Sequence, residues 1–171
     1  MITIRRASLS DEAGLFAVLL KQASEDEFTT LTFEEATRVL HNARPQWAKN
    51  LESHGPFFYL VALAEDKIIG FTDIHQGKTA RTSHVVEFGR YVVPEWRRKQ
   101  IGRRLQNEAL NWAMNQSEVK KVKVVISAGN LASVQSSLRN GFKEEYRMKG
   151  EILLKNGSYS DLICLSYKPF A

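Results

Sequence analysis

The hydrophobic pattern of the chain changes period near residue 57, and this change restricts the fold more than any other feature. Before it, apolar residues recur every three or four positions, which is the spacing of amphipathic helices. After it, apolar segments at residues 57–64, 67–74 and 84–93 are typical of strands, and the first two flank the short Glu65-Asp66 turn. Consecutive strands beside amphipathic helices predict a sheet that is covered by helices.

Capping and turn residues bound the remaining elements. Ser8 and Ser10 are candidate N-caps of the first helix, and Asn156-Gly157 predicts a hairpin turn. Pro45 is expected to kink or split the second helix. The predicted strands are residues 2–6, 57–64, 67–74, 84–93, 122–127, 142–154 and 159–167. The first predicted helix ends at about Ser24, and the second runs from near Thr32 to His54-Gly55. The third and fourth predicted helices cover residues 100–115 and 130–139.

This order of elements predicts an α/β fold of the α+β type. Hairpins and crossover connections alternate along the chain, so we expect a single mixed, mostly antiparallel sheet of about seven strands with helices on both faces. With 171 residues, the chain fits one domain, residues 1–171, around one sizeable core.

Composition predicts a cytoplasmic protein without a membrane partner. The N-terminus lacks an apolar run of signal-peptide length, and the longest apolar stretches are too short to span a bilayer. Cys164 is the one cysteine, so a disulfide within the chain cannot form. No metal site is predicted, because the histidines are scattered without metal-ligand spacing, at His41, His54, His75 and His84.

A basic loop precedes the helix predicted at residues 100–115, and it carries much of the net charge of +5. The first turn of a helix has unpaired N–H groups and the positive end of the helix dipole, which together bind anions such as a pyrophosphate. Gly102 would let a ligand approach the backbone closely. The loop is neither a Walker A sequence nor a dinucleotide-binding fingerprint, and a solvated basic helix start remains the alternative.

Two motifs resemble those of the GNAT N-acetyltransferases. The segment YVVPEWRRKQIGR resembles the family's acetyl-CoA motif [QR]-x-x-G-x-[GA], with Arg97 at the first position and Gly102 at the last, whereas Gln100 replaces the middle glycine. The segment NLASVQSSLRNGF resembles N-x-x-A-x-x-x-Y-x-x-x-G-F, but Ser133 and Ser137 replace the alanine and the tyrosine. The order of elements also fits this family.

The resemblance implies an acetyl-CoA-dependent N-acetyltransferase that acetylates a primary amine by direct transfer. It implies that Tyr91, Val92 and Val93 hydrogen-bond the pantetheine through their backbone. A side chain at Gln100 is tolerated in helical backbone geometry, whereas a positive φ there should lower cofactor affinity. The cofactor-binding residues it implies are Tyr91, Val92, Val93, Arg97, Arg98, Lys99, Gln100, Ile101, Gly102, Arg103, Asn130 and Ser137.

Direct transfer requires an uncharged amine, so a general base is expected to remove its proton and to contribute roughly 10²–10⁴-fold. Glu87 is the candidate, because in a strand it shares an apolar face with Val85, Gly89 and Tyr91; the resemblance supports a glutamate here. The alternative is that Glu87 pairs with Arg90 or a nearby lysine, or is simply exposed to solvent. Ser137 stands where the family has a tyrosine that would protonate the leaving thiolate, and water, Tyr91 or Tyr146 are the open alternatives.

Carboxylates before and at the start of the second helix are the candidate acceptor site. They are Glu25, Asp26, Glu27, Glu34 and Glu35. Such a cluster would attract a polyamine or a basic peptide end, although a solvated loop and helix start explains it equally well. A small amine, a polyamine and a protein N-terminus all remain candidate acceptors, and a homodimer remains open.

Two other functions compete with catalysis. The departures at Gln100 and Ser137 are also compatible with an acetyl-CoA-binding module that has lost activity. The arginines around residues 97–104 could bind nucleic acid, but few aromatic residues lie between them, which disfavours this function.

Overall fold

The computed structural model describes residues 1–25, 28–52 and 57–168, and it contains every predicted element. The strands are β1 (Ile2–Arg6), β2 (Phe57–Ala64), β3 (Lys67–Gln76), β4 (Val85–Val92), β5 (Lys121–Ser127), β6 (Lys143–Leu153) and β7 (Tyr159–Tyr167). The helices are α1 (Glu12–Glu25), α2 (Phe33–Glu52), α3 (Ile101–Met114) and α4 (Leu131–Arg139), with short 3₁₀ turns at Leu9–Asp11 and Pro94–Trp96.

The two N-terminal helices begin at reciprocal caps that the sequence encodes. At the turn before α1, Ser8 N donates to Asp11 Oδ2 (2.8 Å), and Arg5 holds both oxygens of the same carboxylate. The hydrogen bond from Arg5 lowers the pKa of Asp11. At α2, Thr32 N donates to Glu35 Oε2 (2.9 Å) while Glu35 N donates to Thr32 Oγ1 (3.2 Å), which satisfies two backbone donors of the first turn.

The second helix is not split at Pro45, which was one of the two effects that we expected of this proline. Pro45 lies inside α2, which continues to Glu52. A proline removes one backbone donor, and here both Pro45 and His41, whose carbonyl loses that partner, are exposed, so water can replace the hydrogen bond. The predicted helix end at His54-Gly55 lies outside the described residues.

The sheet has seven strands in the order β1-β2-β3-β4-β5-β7-β6 among the described residues. Every neighbouring pair is antiparallel except β4 and β5, as the mostly antiparallel prediction requires. The parallel pairing spans only Val85–Lys121, Val86–Val122 and Glu87–Lys123. Beyond Glu87, β4 stays paired with β3 but no longer with β5, so the sheet opens between the two central strands.

Helices cover both faces of the sheet, as predicted. On one face, Ala109, Leu110 and Ala113 of α3 pack with Val86 and Phe88 of β4. On the other face, residues of α1 and α2 pack on β2 and β3 in a cluster that includes Leu15, Val18, Leu51, Tyr59, Val61 and Phe71. In the described part of the chain, no helix is long and apolar enough to cross a membrane.

Candidate active site

Two cavities open where β4 and β5 diverge. The first, of about 350 Å³, is enclosed by α1, α2, the segment at residues 28–31 and the diverging strands; we call it the inner cavity. The second, of about 790 Å³, is bordered by the loop before α3 and by α4; we call it the basic cavity. The two cavities share the wall residues Gln22, Phe28, Arg90, Asn130 and Ser133, so a single extended ligand can reach from one cavity into the other.

The loop before α3 is a wall of the basic cavity. Arg98 (φ 59°) and Gln100 (φ 60°) both adopt left-handed backbone geometry, and α3 starts at the next residue. Alternating left-handed residues turn backbone N–H groups toward one side and make an anion-binding concavity. A Cβ added at Gly102 would meet only Val92 Cγ2, at 3.8 Å, so the space that glycine leaves there faces the cavity.

The cations of the loop differ in their partners. Arg97 donates through Nη1 to Glu25 Oε1 (3.0 Å), through Nη2 to the other oxygen of Glu25, and through Nε to Val92 O (3.1 Å). The Lys99 ammonium lies 4.4 Å from the centre of the Trp96 ring, and Lys99 does not line the cavity. The cavity is lined by Arg97, Arg98 and Arg103, together with Arg139 at the end of α4, which the motif does not include.

The backbone of β4 meets the cleft at alternate residues. Val93 donates its N–H to Ile69 O (3.0 Å) and accepts from Trp96 N (3.0 Å), so both of its backbone groups are used within the protein. This contradicts the predicted hydrogen bonding of Val93 to a cofactor. In an antiparallel ladder the backbone of Tyr91 likewise faces β3, whereas the backbone of Val92 and Arg90 faces the cleft.

A polar cluster that the sequence analysis missed lies on β3 beside this strand. Asp73 accepts a hydrogen bond from Gly89 N (2.8 Å) through Oδ1 and contacts His75 Nε2 (2.8 Å) through Oδ2. The charge of Asp73, together with burial, raises the pKa of Tyr91 well above its ordinary value. Tyr91 is therefore a weak proton donor to a thiolate, even though it lines the inner cavity. Its ring stacks on the ring of Phe71.

Glu87 lies between polar neighbours, not on the apolar surface that we expected. Its Oε2 is 2.8 Å from Lys123 Nζ, and His75 is its partner across β3. Hydrogen bonding to Glu87 raises the pKa of Lys123. The Glu87 side chain is 43% exposed and lines neither cavity. The next residue in the strand, Phe88, does line the inner cavity.

Ser137 is fully buried behind the cleft and lines neither cavity. Its Oγ accepts hydrogen bonds from Arg90 Nη2 (2.9 Å) and from Gln106 Nε2 (3.3 Å). Asn130 caps α4 by accepting from Ser133 N (3.1 Å), and it borders both cavities. Tyr146, the other candidate proton donor, lies on β6 and lines neither cavity.

The predicted acidic acceptor site does not form among the described residues. Glu25 is paired with Arg97 and faces the basic cavity, Glu35 is used in the cap of α2, and Glu34 lines neither cavity. Asp26 and Glu27 lie outside the described residues. The described lining of the inner cavity is rich in apolar side chains and has one charged residue, Arg90; its apolar members include Leu19, Leu31, Val39, Leu40 and Trp47.

Arg90 connects the two cavities to α3 and α4. Its Nη1 donates to Gln106 Oε1 (2.6 Å), and its Nη2 donates to the hydroxyls of Ser133 and Ser137 (2.9 Å each). Protein surrounds the guanidinium, and this burial lowers the pKa of Arg90 to about 10, so it stays protonated at neutral pH. In the described part of the chain, no group of three or more histidine, cysteine, aspartate or glutamate side chains could hold a metal ion.

Comparison with known proteins agrees with this architecture. A Streptococcus mutans protein of known structure superposes with a TM-score of 0.82 at 29% identity, covering 97% of this chain and 98% of its own. The Salmonella typhimurium protein yncA, whose structure was determined with its cofactor acetyl-CoA, superposes with a TM-score of 0.78 at 19% identity, covering 98% and 94%. An L-amino acid N-acetyltransferase of Escherichia coli is 25% identical over 72% of this chain and 76% of its own length.

The fold and the cleft are those of an acyltransferase. The family model described as "Acetyltransferase (GNAT) family" matches residues 19–142, which include the loop before α3 and the start of α4. The chain belongs to this family and is an acyltransferase enzyme.

Proposed function

We propose that this enzyme transfers the acetyl group of acetyl-CoA directly to the primary amine of a small acceptor. The observation that carries the proposal is the pair of cavities that meet at the divergence of β4 and β5. One is walled by a loop with anion-binding geometry and arginines, which suits the phosphates of coenzyme A. The other is smaller and rich in apolar side chains, which suits a small acceptor.

The loop before α3 would hold the pyrophosphate. Backbone N–H groups of the first turn of α3, and the side chains of Arg98, Arg103 and Arg139, supply the positive charge. Val92, whose carbonyl accepts from Arg97 Nε, would donate its N–H to the pantetheine at the edge that β5 leaves open. Asn130 would contact the cofactor where the two cavities meet. The thioester then lies beside Arg90, at the entrance to the inner cavity.

Glu87 is the proposed general base, acting through water. The next residue in the strand, Phe88, lines the inner cavity, and Lys123 holds the Glu87 carboxylate in place. The uncharged amine attacks the thioester carbonyl carbon, the C–N bond forms, and the C–S bond breaks with its electron pair leaving on sulfur. The nitrogen loses one proton, so the products are an amide, a coenzyme A thiolate and a proton.

The inner cavity favours an acceptor amine that also carries an apolar group. Its lining has apolar side chains from both α1 and α2, and the positive charge of Arg90 opposes a second cation on the acceptor. The Escherichia coli relative is named for L-amino acids. An apolar amino acid is therefore the first acceptor class to test, ahead of a polyamine.

The test combines binding and turnover. Acetyl-CoA and coenzyme A should each raise the melting temperature, because a ligand that binds only the folded state stabilises it. Thiol release and mass spectrometry of the product are then measured with apolar L-amino acids, polyamines and N-terminal peptides. No stabilisation by either ligand refutes the proposal, whereas binding without turnover across the panel leaves the inactive acetyl-CoA-binding module.

The role of Glu87 is tested with Glu87→Gln and with Glu108→Gln on the exposed side of α3 as the matched control. We expect Glu87→Gln to lower kcat by roughly 10²-fold or more and to remove the acid limb of the pH–rate profile. Glu108→Gln should change neither. An unaltered rate and acid limb in Glu87→Gln would exclude Glu87 from the mechanism.

A further inference from the structure

Among the described residues, the hydrogen-bond partners of the Arg90 guanidinium are all neutral groups. Its two Nη atoms donate to Gln106 Oε1, to the Ser133 and Ser137 hydroxyls and to Ser133 O (3.3 Å), with Ser136 Oγ at 3.5 Å. None of the ion pairs within the described residues includes Arg90. Surface arginines in the same chain, such as Arg5, Arg44 and Arg147, do have carboxylate partners.

Arg90 is partly buried and has no counter-ion among the described residues. Such a charge is costly, and proteins rarely keep one without a use. The neutral hydrogen bonds fix the guanidinium in place but do not cancel its charge. Arg90 borders both cavities and is the one charged residue of the described inner-cavity wall. The positive field of Arg90 therefore acts on whatever group lies where the two cavities meet.

We propose that Arg90 is a fixed cation that stabilises the coenzyme A sulfur as it becomes a thiolate. This proposal rests on the proposed function, because it takes the thioester to lie where the two cavities meet. When the amine attacks and the C–S bond breaks, the electron pair of that bond passes to sulfur. A preorganised positive charge in a poorly hydrated site lowers the energy of this anion without any proton transfer to it.

The geometry favours a thiolate over the carboxylate of an acceptor as the partner of Arg90. Carboxylate binding by arginine normally uses two parallel N–H donors of the fork. Here the Nη atoms already donate to Gln106, Ser133 and Ser137, all of which lie on α3 and α4. Arg90 thus provides a positive charge at a fixed place, but it does not have two parallel N–H donors free to bind a carboxylate.

The test measures the protonation of bound coenzyme A directly. An ordinary thiol such as that of cysteine has a pKa of about 8.5. If Arg90 favours the thiolate, binding lowers the pKa of the coenzyme A thiol. The affinity of coenzyme A relative to desulfo-coenzyme A then rises as the pH is raised from about 7 to about 9.5. The rise is close to tenfold for each unit by which the thiol pKa is lowered. Desulfo-coenzyme A lacks the thiol and serves as the ligand control.

Three variants separate the charge from the architecture. Arg90→Gln should abolish the rise in relative affinity and lower kcat by about 10²-fold. Arg90→Lys keeps a cation and should retain most of the rise. Arg6→Gln is the control: Arg6 lies on the edge strand β1, is partly buried over the Phe58 ring, and lines neither cavity. This variant should leave the pH dependence of the relative affinity unchanged.

Each outcome is decisive. Equal pH dependence for the two ligands with wild-type protein, or a rise that survives in folded Arg90→Gln, overturns the thiolate role. If Arg90→Gln instead raises KM only for acceptors that carry a carboxylate, Arg90 binds the acceptor and the proposal is wrong. Should Arg90→Gln not fold, the comparison of wild-type protein with Arg90→Lys still tests the charge, since loss of the rise in the lysine variant would contradict it. Failure of wild-type protein to bind coenzyme A would refute the proposed function itself, which is a different result from binding without a shifted thiol.

Discussion

Gln100 has a side chain in a backbone conformation that favours glycine, and Gln100→Gly should therefore stabilise the protein. Its φ and ψ of 60° and 11° are left-handed, at the cap of α3. This conformation costs an L-residue with a Cβ about 1–2 kcal/mol. Glycine removes this cost but gains backbone freedom in the unfolded chain, which offsets about 0.4–1 kcal/mol. The expected net gain is about 0.5–1 kcal/mol.

Removing the backbone strain at residue 100 can raise either the free energy of unfolding or the affinity for acetyl-CoA, but the same energy cannot contribute in full to both. Both quantities therefore have to be measured. The loop in the structure is already left-handed, so we expect the gain mainly in the free energy of unfolding, with a melting temperature higher by roughly 1–4 °C. The dissociation constant of acetyl-CoA should then change by less than about twofold, so the cost of the positive φ at Gln100 falls on stability and not, as we expected from the sequence, on cofactor affinity. If the free loop were right-handed in solution, the same energy would instead appear as tighter binding, by about two- to fivefold.

Thermal denaturation and isothermal titration calorimetry with acetyl-CoA make the measurement. Gln100→Ala is the matched control, because alanine shortens the side chain but keeps the Cβ that causes the strain. Arg98→Gly is the second comparison: it relieves the same conformation, with φ of 59°, but removes a cation from the cavity, so it should gain stability and lose affinity. Equal stability and affinity for Gln100→Gly and Gln100→Ala would refute the strain argument.

Three further predictions concern the same cleft. Glu25→Gln should strengthen acetyl-CoA binding by about two- to fivefold at low salt, because it releases Arg97 and removes a negative charge from the basic cavity. The gain should shrink as added salt screens the charges, and weaker binding would show that Glu25 orients Arg97. Gly89→Ala should lower the free energy of unfolding by about 1–3 kcal/mol, because its Cβ would lie 2.6 Å from Asp73 Oδ1. Gly102→Ala, with its nearest neighbour at 3.8 Å, should instead keep the melting temperature and weaken acetyl-CoA binding, and the reverse order of effects in a denaturation series would contradict both assignments.

The helices and strands were predictable because their signals are local. A strand such as β2 or a turn such as Asn156-Gly157 is specified by a few adjacent residues, and tertiary contacts then reinforce the same choice. Pro45 was the exception. Its effect depends on whether water reaches the carbonyl that loses its partner, which is a property of the packed helix and not of the sequence near it.

The site divides in the same way between local and distant information. The loop before α3 is contiguous in sequence, so its charge and its position at a helix start could be identified from the residues alone. Arg90 could not, because its partners Gln106, Ser133 and Ser137 are 16, 43 and 47 residues away and meet it only when α3 and α4 pack on β4. The sequence also does not show which carboxylates a cap or an ion pair will use, as Glu35 and Glu25 are used here, so the described carboxylates do not form the predicted acidic cluster.

The two serines that depart from the family motif on α4 have a common explanation in Arg90. Where the motif has alanine, the Ser133 hydroxyl accepts a hydrogen bond from Arg90, and where it has tyrosine, the Ser137 hydroxyl does the same. Neither alanine nor an inward tyrosine ring would leave both an acceptor and the space for the guanidinium. The serines therefore complete the neutral cradle that holds a charge beside the cleft, and the loss of a phenol at residue 137 coincides with the gain of a cation within 2.9 Å of it. This pairing favours an exchange of one way of stabilising a leaving thiolate for another over a simple loss of catalysis.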